Sequence, residues 1–149
     1  MNREDMKNLR QYVQEFYRLF GFLNQNVTPC GFQLSTSQVF SLQELEDRAL
    51  TIGELAERLL LERSSVSRLI DNLEKNGFVT RTVNEENRRE VFVTLTTKGR
   101  NSVQKVREQS LLYYESILKG ISEEDQHQIL TGFKLFTSAL ENRRKSNEF

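Results

Sequence analysis

At 149 residues the chain is about one domain long, enough to bury a core and short for two independent ones. Its 21 basic and 21 acidic side chains cancel, so net charge gives no broad attraction to a polyanion, and any affinity for one has to come from local segregation. A single cysteine excludes an internal disulfide and agrees with a reducing compartment.

No apolar run approaches the roughly 20 residues that cross a bilayer, and the opening Met1, Asn2, Arg3, Glu4 and Asp5 lead into a helix rather than a signal peptide. A soluble, cytoplasmic protein is expected. Over residues 4–24, Leu9, Val13, Phe16, Phe20 and Leu23 share one helical stripe, broadened by Tyr12 and Leu19. Residues 24–31 hold the only proline, Pro29, together with Gly31, and read as a loop. The next helix starts after Ser35, with Gln38 as capping partner, carries Val39, Phe40, Leu42 and Leu45, and ends near Arg48.

A helix pair follows. Thr51 and Glu54 have capping-box spacing ahead of Ile52, Leu55 and Leu59, which predicts a short helix over residues 52–59. A second helix begins near Ser64, turns Val66, Leu69, Ile70 and Leu73 inward and closes at Gly77. Its outward face is Ser64, Ser65, Ser67, Arg68, Asn72 and Lys75. Small hydroxyls permit close approach and bond phosphates or base edges, while an arginine pairs with guanine through two hydrogen bonds. That is the chemistry of a recognition helix in a major groove, and equally the composition of a solvated helix face.

The segment after it favours the first reading. Residues 78–83 and 89–95 are rich in β-branched and aromatic side chains, with turn residues Asn84, Glu85, Glu86 and Asn87 between them, so a hairpin is expected with Arg88 and Arg89 at its tip. A projecting arginine suits the negative potential of a minor groove. From Arg63 to Arg100 eight basic side chains, Arg81 among them, face five acidic ones, a local charge of +3, whereas residues 41–62 carry −4. The segregation has the sense that a DNA-facing module requires, and its modest size calls for two copies and a salt-sensitive affinity.

Beyond the hairpin, Thr97 is placed to cap a long helix to about Lys119, with Val103, Val106, Leu111, Tyr114, Ile117 and Leu118 inside and Gly120 past its end. Ser122 with Asp125 starts the last helix, where Ile129, Phe133, Phe136 and Leu140 recur at helical spacing. These terminal helices carry more apolar stripe than a small winged helix needs, which points to pairing with a second copy rather than to an intrachain bundle.

The run LAERLLLERSSVSRLIDNLEKNGFVTR, followed by RREVFVTLTTKG with its Leu95, Thr96 and Gly99, resembles the MarR family of bacterial transcription regulators, and the likeness covers most of the chain. The resemblance implies a mainly α fold: a winged helix-turn-helix core with a two-stranded β-wing over residues 35–97, flanked by dimerisation helices at 4–24 and 98–144, all within one domain of residues 1–149. It implies a homodimer that binds double-stranded DNA at a pseudopalindromic operator, usually as a repressor. Ser64, Ser65, Ser67 and Arg68 would then be recognition-helix contacts and Arg88 or Arg89 the wing arginine; Asn72, Lys75 and Arg81 complete the candidate DNA surface. Two positions depart from the family pattern. Asn87 stands where Asp is frequent ahead of the wing arginine, and Leu60 where Gly is frequent, which suggests a helix turn with no need of positive φ.

In such regulators small phenolic or other aromatic ligands bind between dimer base and DNA module and release the DNA. Tyr12, Phe16, Phe20, Phe32, Phe40 and Tyr113 are the candidates here for such a cleft, against the plain reading that they are core. Cys30 invites an alternative, a cysteine-based oxidant sensor, although it falls after the first helix, where related regulators carry theirs within it. A winged-helix protein-interaction module without DNA is the other alternative. His127 with one distant cysteine makes no zinc site, no catalytic or phosphate-loop motif occurs, and neither enzyme activity nor a cofactor is expected.

Overall fold

The computed structural model describes residues 1–146 as six helices and one hairpin. In order these are α1 (Arg3–Leu19), α2 (Thr36–Glu44), α3 (Ile52–Leu59), α4 (Arg63–Lys75), β1 (Val79–Val83), β2 (Val91–Leu95), α5 (Thr97–Leu118) and α6 (Glu123–Lys145). The chain divides into two compact units, Met1–Leu111 and the residues from Leu112 onward.

Local chemistry sets most of the boundaries. Ser35 with Gln38, and Thr51 with Glu54, close capping boxes that satisfy the first amides of α2 and α3. Gly77, at φ +80, ends α4 and Gly120, at φ +88, follows α5, as left-handed residues without a Cβ penalty. Two expectations change. The helix expected over residues 4–24 stops at Leu19, because Gly21 turns to φ +90 and Phe22 folds back to stack its ring on Tyr17 at 5.4 Å. The long helix is capped by Thr96, not Thr97: the Thr96 Oγ1 accepts from the Gly99 amide at 3.1 Å and its carbonyl from the Arg100 amide.

In the first unit, Val39, Leu42 and Leu45 of the α2 segment, Leu55 and Ala56 of α3, and Val66, Ile70 and Leu73 of α4 meet Val79, Val93, Leu95, Val103 and Val106 in one buried cluster. β1 and β2 pair antiparallel with Val79 opposite Leu95 and Arg81 opposite Val93, and Leu50 adds a bridge to Val93. The period of two therefore puts Val79, Arg81 and Val93 on the face turned to α4. By contrast α1 buries none of its residues: Met6, Leu9, Tyr12, Val13, Phe16 and Tyr17 remain exposed. In the second unit α6 likewise buries none, leaving Ile129, Leu130, Phe133, Phe136 and Leu140 exposed; on α5, Leu111 at the end of the first unit and Tyr114 and Ile117 in the second, all expected inside, are exposed. No helix among the described residues is long and apolar enough to cross a membrane.

Candidate nucleic-acid interface

The helix pair α3–α4 is joined by Leu60, Leu61 and Glu62. Leu60 sits at φ +60, ψ +38, the single non-glycine residue at positive φ among those described, so the left-handed turn is present after all and the leucine occupies it. A non-glycine residue there costs about 1–2 kcal/mol. The strain places Leu61 so that its amide bonds the Ala56 carbonyl at 3.1 Å, closing α3 before α4 begins at Arg63.

Burying Val66, Ile70 and Leu73 turns the opposite side of α4 to solvent. Ser64, Ser65, Arg68, Asn72 and Lys75 fall within one stripe by their 100° steps, with Ser67 at its edge. The Glu62 side chain makes no cap, so the positive end of α4 lies open beside the Ser64 and Ser65 hydroxyls, an arrangement suited to a phosphate. No ion pair among the described residues involves Arg68 or Lys75.

Arg81 is placed differently from the rest. Its guanidinium reaches Asp71 at 2.5 Å and Glu74 at 2.8 Å on α4, and its amide donates to the Glu74 carboxylate at 3.1 Å. Partial burial disfavours its charge, but the hydrogen bonds to the two carboxylates outweigh this and raise its pKa above the usual arginine range. Arg81 thus ties the wing to α4 and offsets one of the two negative charges that Asp71 and Glu74 place beside the stripe. Neither Asp71 nor Glu74 was expected in this role; the alternation that puts Arg81 on the inner face of β1 is the sequence signal that points to them.

The wing loop is held by side chains of its own. The Asn84 amide and side chain bond the Glu90 carbonyl and carboxylate at 2.9 Å each, and the Asn87 Oδ1 accepts from the Arg89 amide at 3.2 Å. Asn87 therefore makes the turn bond that an aspartate would make, without its charge. Arg88 and Arg89 are exposed and in no ion pair among the described residues. At the wing base Lys98 lies 4.4 Å over the Phe78 ring and bonds the Asn76 carbonyl, while Thr96 bonds the Gly77 and Phe78 carbonyls.

Of the candidate cleft residues, Phe16 and Phe20 join in one ring cluster, 5.1 Å apart, and it includes Phe22, which was not expected there. Tyr12 and Phe40 are exposed, Phe32 packs against the core, and Tyr113 belongs to the second unit, 6.1 Å from Tyr114. Cys30 is half-buried with its sulfur 3.2 Å from the Thr28 hydroxyl, and its carbonyl accepts from Gln109 at 2.6 Å. The His127 Nδ1 lies 2.8 Å from the Glu123 carbonyl. No group of three metal-ligating side chains occurs among the described residues.

Comparison with known proteins agrees with this architecture. The MarR family model matches residues 34–91. The uncharacterized HTH-type transcriptional regulator YfiV of Bacillus subtilis is 33% identical over 96 residues, a stretch covering 64% of this chain and 60% of that protein, so the match spans less than two thirds of the relative. Among solved structures, a MarR family protein of Bacillus stearothermophilus matches with a TM-score of 0.74 at 23% identity, covering 95% of this chain and 99% of that one. FabT of Streptococcus pneumoniae, solved in complex with DNA, matches at 0.66 and 23%, covering 93% and 94%. The matched segment takes in the helix pair and most of the wing on which the exposed stripe stands, and over that segment the chain is similar to the MarR family, while the solved structures share the fold of the flanking helices as well.

Proposed function

We propose that the chain is a cytoplasmic transcriptional regulator that binds a pseudopalindromic site in double-stranded DNA as a homodimer and represses transcription by occupying it. The observation that carries this reading is the pairing of two basic elements on one module: the stripe of Ser64, Ser65, Arg68 and Lys75 on α4, and the wing with Arg88 and Arg89. In this reading residues 35–97 read DNA, with α4 in the major groove and a wing arginine in the adjacent minor groove. Ser67, at the stripe's edge, contributes a backbone contact, and Arg81 acts by holding the wing.

The helices outside that module, residues 4–24 and 98–144, pair with a second copy. Their support is the apolar face that α1 and α6 each leave uncovered, more than a monomer keeps open to water without a partner. The Streptococcus pneumoniae relative in complex with DNA supports the nucleic-acid partner. A small aromatic or phenolic effector that releases DNA is consistent with the ring cluster of Phe16, Tyr17, Phe20 and Phe22 and with the exposed Phe40 and Tyr12.

Selection of bound duplexes from a random pool, followed by titration of the winner at two salt concentrations with stoichiometry, tests the reading. An enriched inverted repeat bound by two chains and weakened by salt is expected. A stable dimer that enriches nothing would move the assignment to a protein-interaction module. For the effector, aromatic acids and phenols that shift neither melting temperature nor DNA affinity would remove it.

A further inference from the structure

The Asn72 carboxamide on α4 is held in one orientation from outside its own helix. The Ser35 amide, which can only donate, gives its hydrogen bond to the Gln38 Oε1 at 2.8 Å. Gln38 must then turn its Nε2 away, and that group donates to the Asn72 Oδ1 at 2.8 Å. The Asn76 Nδ2, bonded to the Asn72 carbonyl at 2.8 Å, adds a longer contact to the same Oδ1 at 3.3 Å. A backbone amide at the start of α2 thereby fixes the polarity of a side chain on α4, through a bond that spans 34 positions of sequence. The Asn72 oxygen is engaged, and its two Nδ2 hydrogens are what the exposed stripe presents beside Arg68.

An asparagine free to use both ends recognises adenine through N6 and N7, because it offers a donor and an acceptor together. Asn72 offers donors alone. We propose that Asn72 is a specificity-determining residue that reads the acceptor edge of a base, guanine N7 and O6 or thymine O4, and does not pair with adenine in two-bond fashion, and that Gln38 is the positioning residue that sets this polarity. The proposal rests on the DNA-reading role proposed for α4.

Gln38→Glu is the informative variant. Glutamate keeps the capping box with Ser35, so α2 retains its start. The second oxygen of the introduced carboxylate can only accept, so Asn72 must rotate, turning its Nδ2 toward that carboxylate and its Oδ1 outward, where the oxygen meets donors such as adenine N6 or cytosine N4. Random-pool selection with the full-length protein, its Q38E variant and N72A would read the base preference at every position. The parent is expected to prefer guanine or thymine at one position per half-site by about tenfold or more. N72A should flatten that position alone, and Q38E should move it to adenine or cytosine, whatever the added charge does to overall affinity. A uniform loss over all sequences in N72A marks a phosphate contact and overturns the proposal, as does an unchanged base in Q38E. Failure of the parent to enrich any duplex would instead sink the DNA-reading role itself and the proposal with it.

Discussion

Arg81 on β1 and Glu74 on α4 are joined twice, by the Glu74 carboxylate accepting from the Arg81 guanidinium at 2.8 Å and from its backbone amide at 3.1 Å. Asp71 accepts only from the guanidinium and is more exposed. Removing Glu74 leaves the Arg81 amide without its acceptor and the guanidinium with only the more exposed Asp71, whereas removing Asp71 leaves both Arg81 groups bonded to Glu74. Glu74→Ala is therefore expected to lower stability by about 1–2 kcal/mol, and Asp71→Ala by about 0.5 kcal/mol, since half-exposed ion pairs are worth little alone. Chemical denaturation of the two variants, with Arg81→Ala completing the double-mutant cycles, checks the order. Equal losses would show that the backbone bond contributes nothing.

Gly99 and Phe78 set a second close contact. A Cβ on Gly99 would overlap the Phe78 carbonyl oxygen and crowd Leu95. The first turn of α5 thus lies against the wing base, where Thr96 also binds the Gly77 and Phe78 carbonyls. Gly99→Ala should cost about 1–3 kcal/mol, the range for overpacking a site that cannot relax, despite the better helix propensity of alanine. Thermal unfolding measures it, and a stabilised variant would refute the close approach.

Much of this was legible in the sequence because it is decided within a few residues. The capping pairs Ser35 with Gln38 and Thr51 with Glu54, the glycine stops at Gly77 and Gly120, and the alternating hairpin are local chemistry, and each appears where the spacing puts it. The misplaced end of α1 has a different cause: Phe20, Phe22 and Leu23 continue an apolar pattern across Gly21, and only the ring packing of Phe16, Tyr17, Phe20 and Phe22 favours a turn there. Pairings between distant segments were not legible. The hold of Gln38 on Asn72 leaves no periodic trace, and the alternation of β1 turns Arg81 toward α4 without saying which of its side chains receive it.

Leu60 shows tertiary demand overriding residue preference. The turn between α3 and α4 imposes φ +60, and an exposed leucine accepts it. Leu60→Gly removes the left-handed penalty but adds freedom to the unfolded chain, so a net gain of about 0.5–1 kcal/mol is expected. A higher midpoint in urea with unchanged slope supports this. Destabilisation would mean that the Leu60 side chain contributes packing that its exposure does not suggest.

The uncovered faces of α1 and α6 make the proposed dimer testable without DNA. Val13→Asp on α1 and Phe136→Glu on α6 each place a charge on an exposed apolar stripe. If a second copy covers these faces, sedimentation should show dissociation or a dimer weakened by at least about tenfold, because an unpaired buried charge costs several kcal/mol. On a monomer's free surface the same changes would be near neutral, within about 0.5 kcal/mol.

Arg68 and Lys75 share one stripe of α4 but differ in what they can read. Arg68 lies in the second turn and carries the planar fork that matches guanine, while Lys75, in the last turn, is a point charge suited to phosphate. Arg68→Ala is expected to lower affinity for the selected site by about 1–3 kcal/mol and to relax preference at one base pair of each half-site. Lys75→Ala should weaken all duplexes alike and flatten the slope of log affinity against log salt by about one for each phosphate that lysine no longer neutralises. Fluorescence anisotropy against the selected site and a scrambled duplex at several salt concentrations separates these effects. If Arg68→Ala behaves as Lys75→Ala is expected to, then Arg68 binds the backbone, and base discrimination on α4 falls to its serines and Asn72.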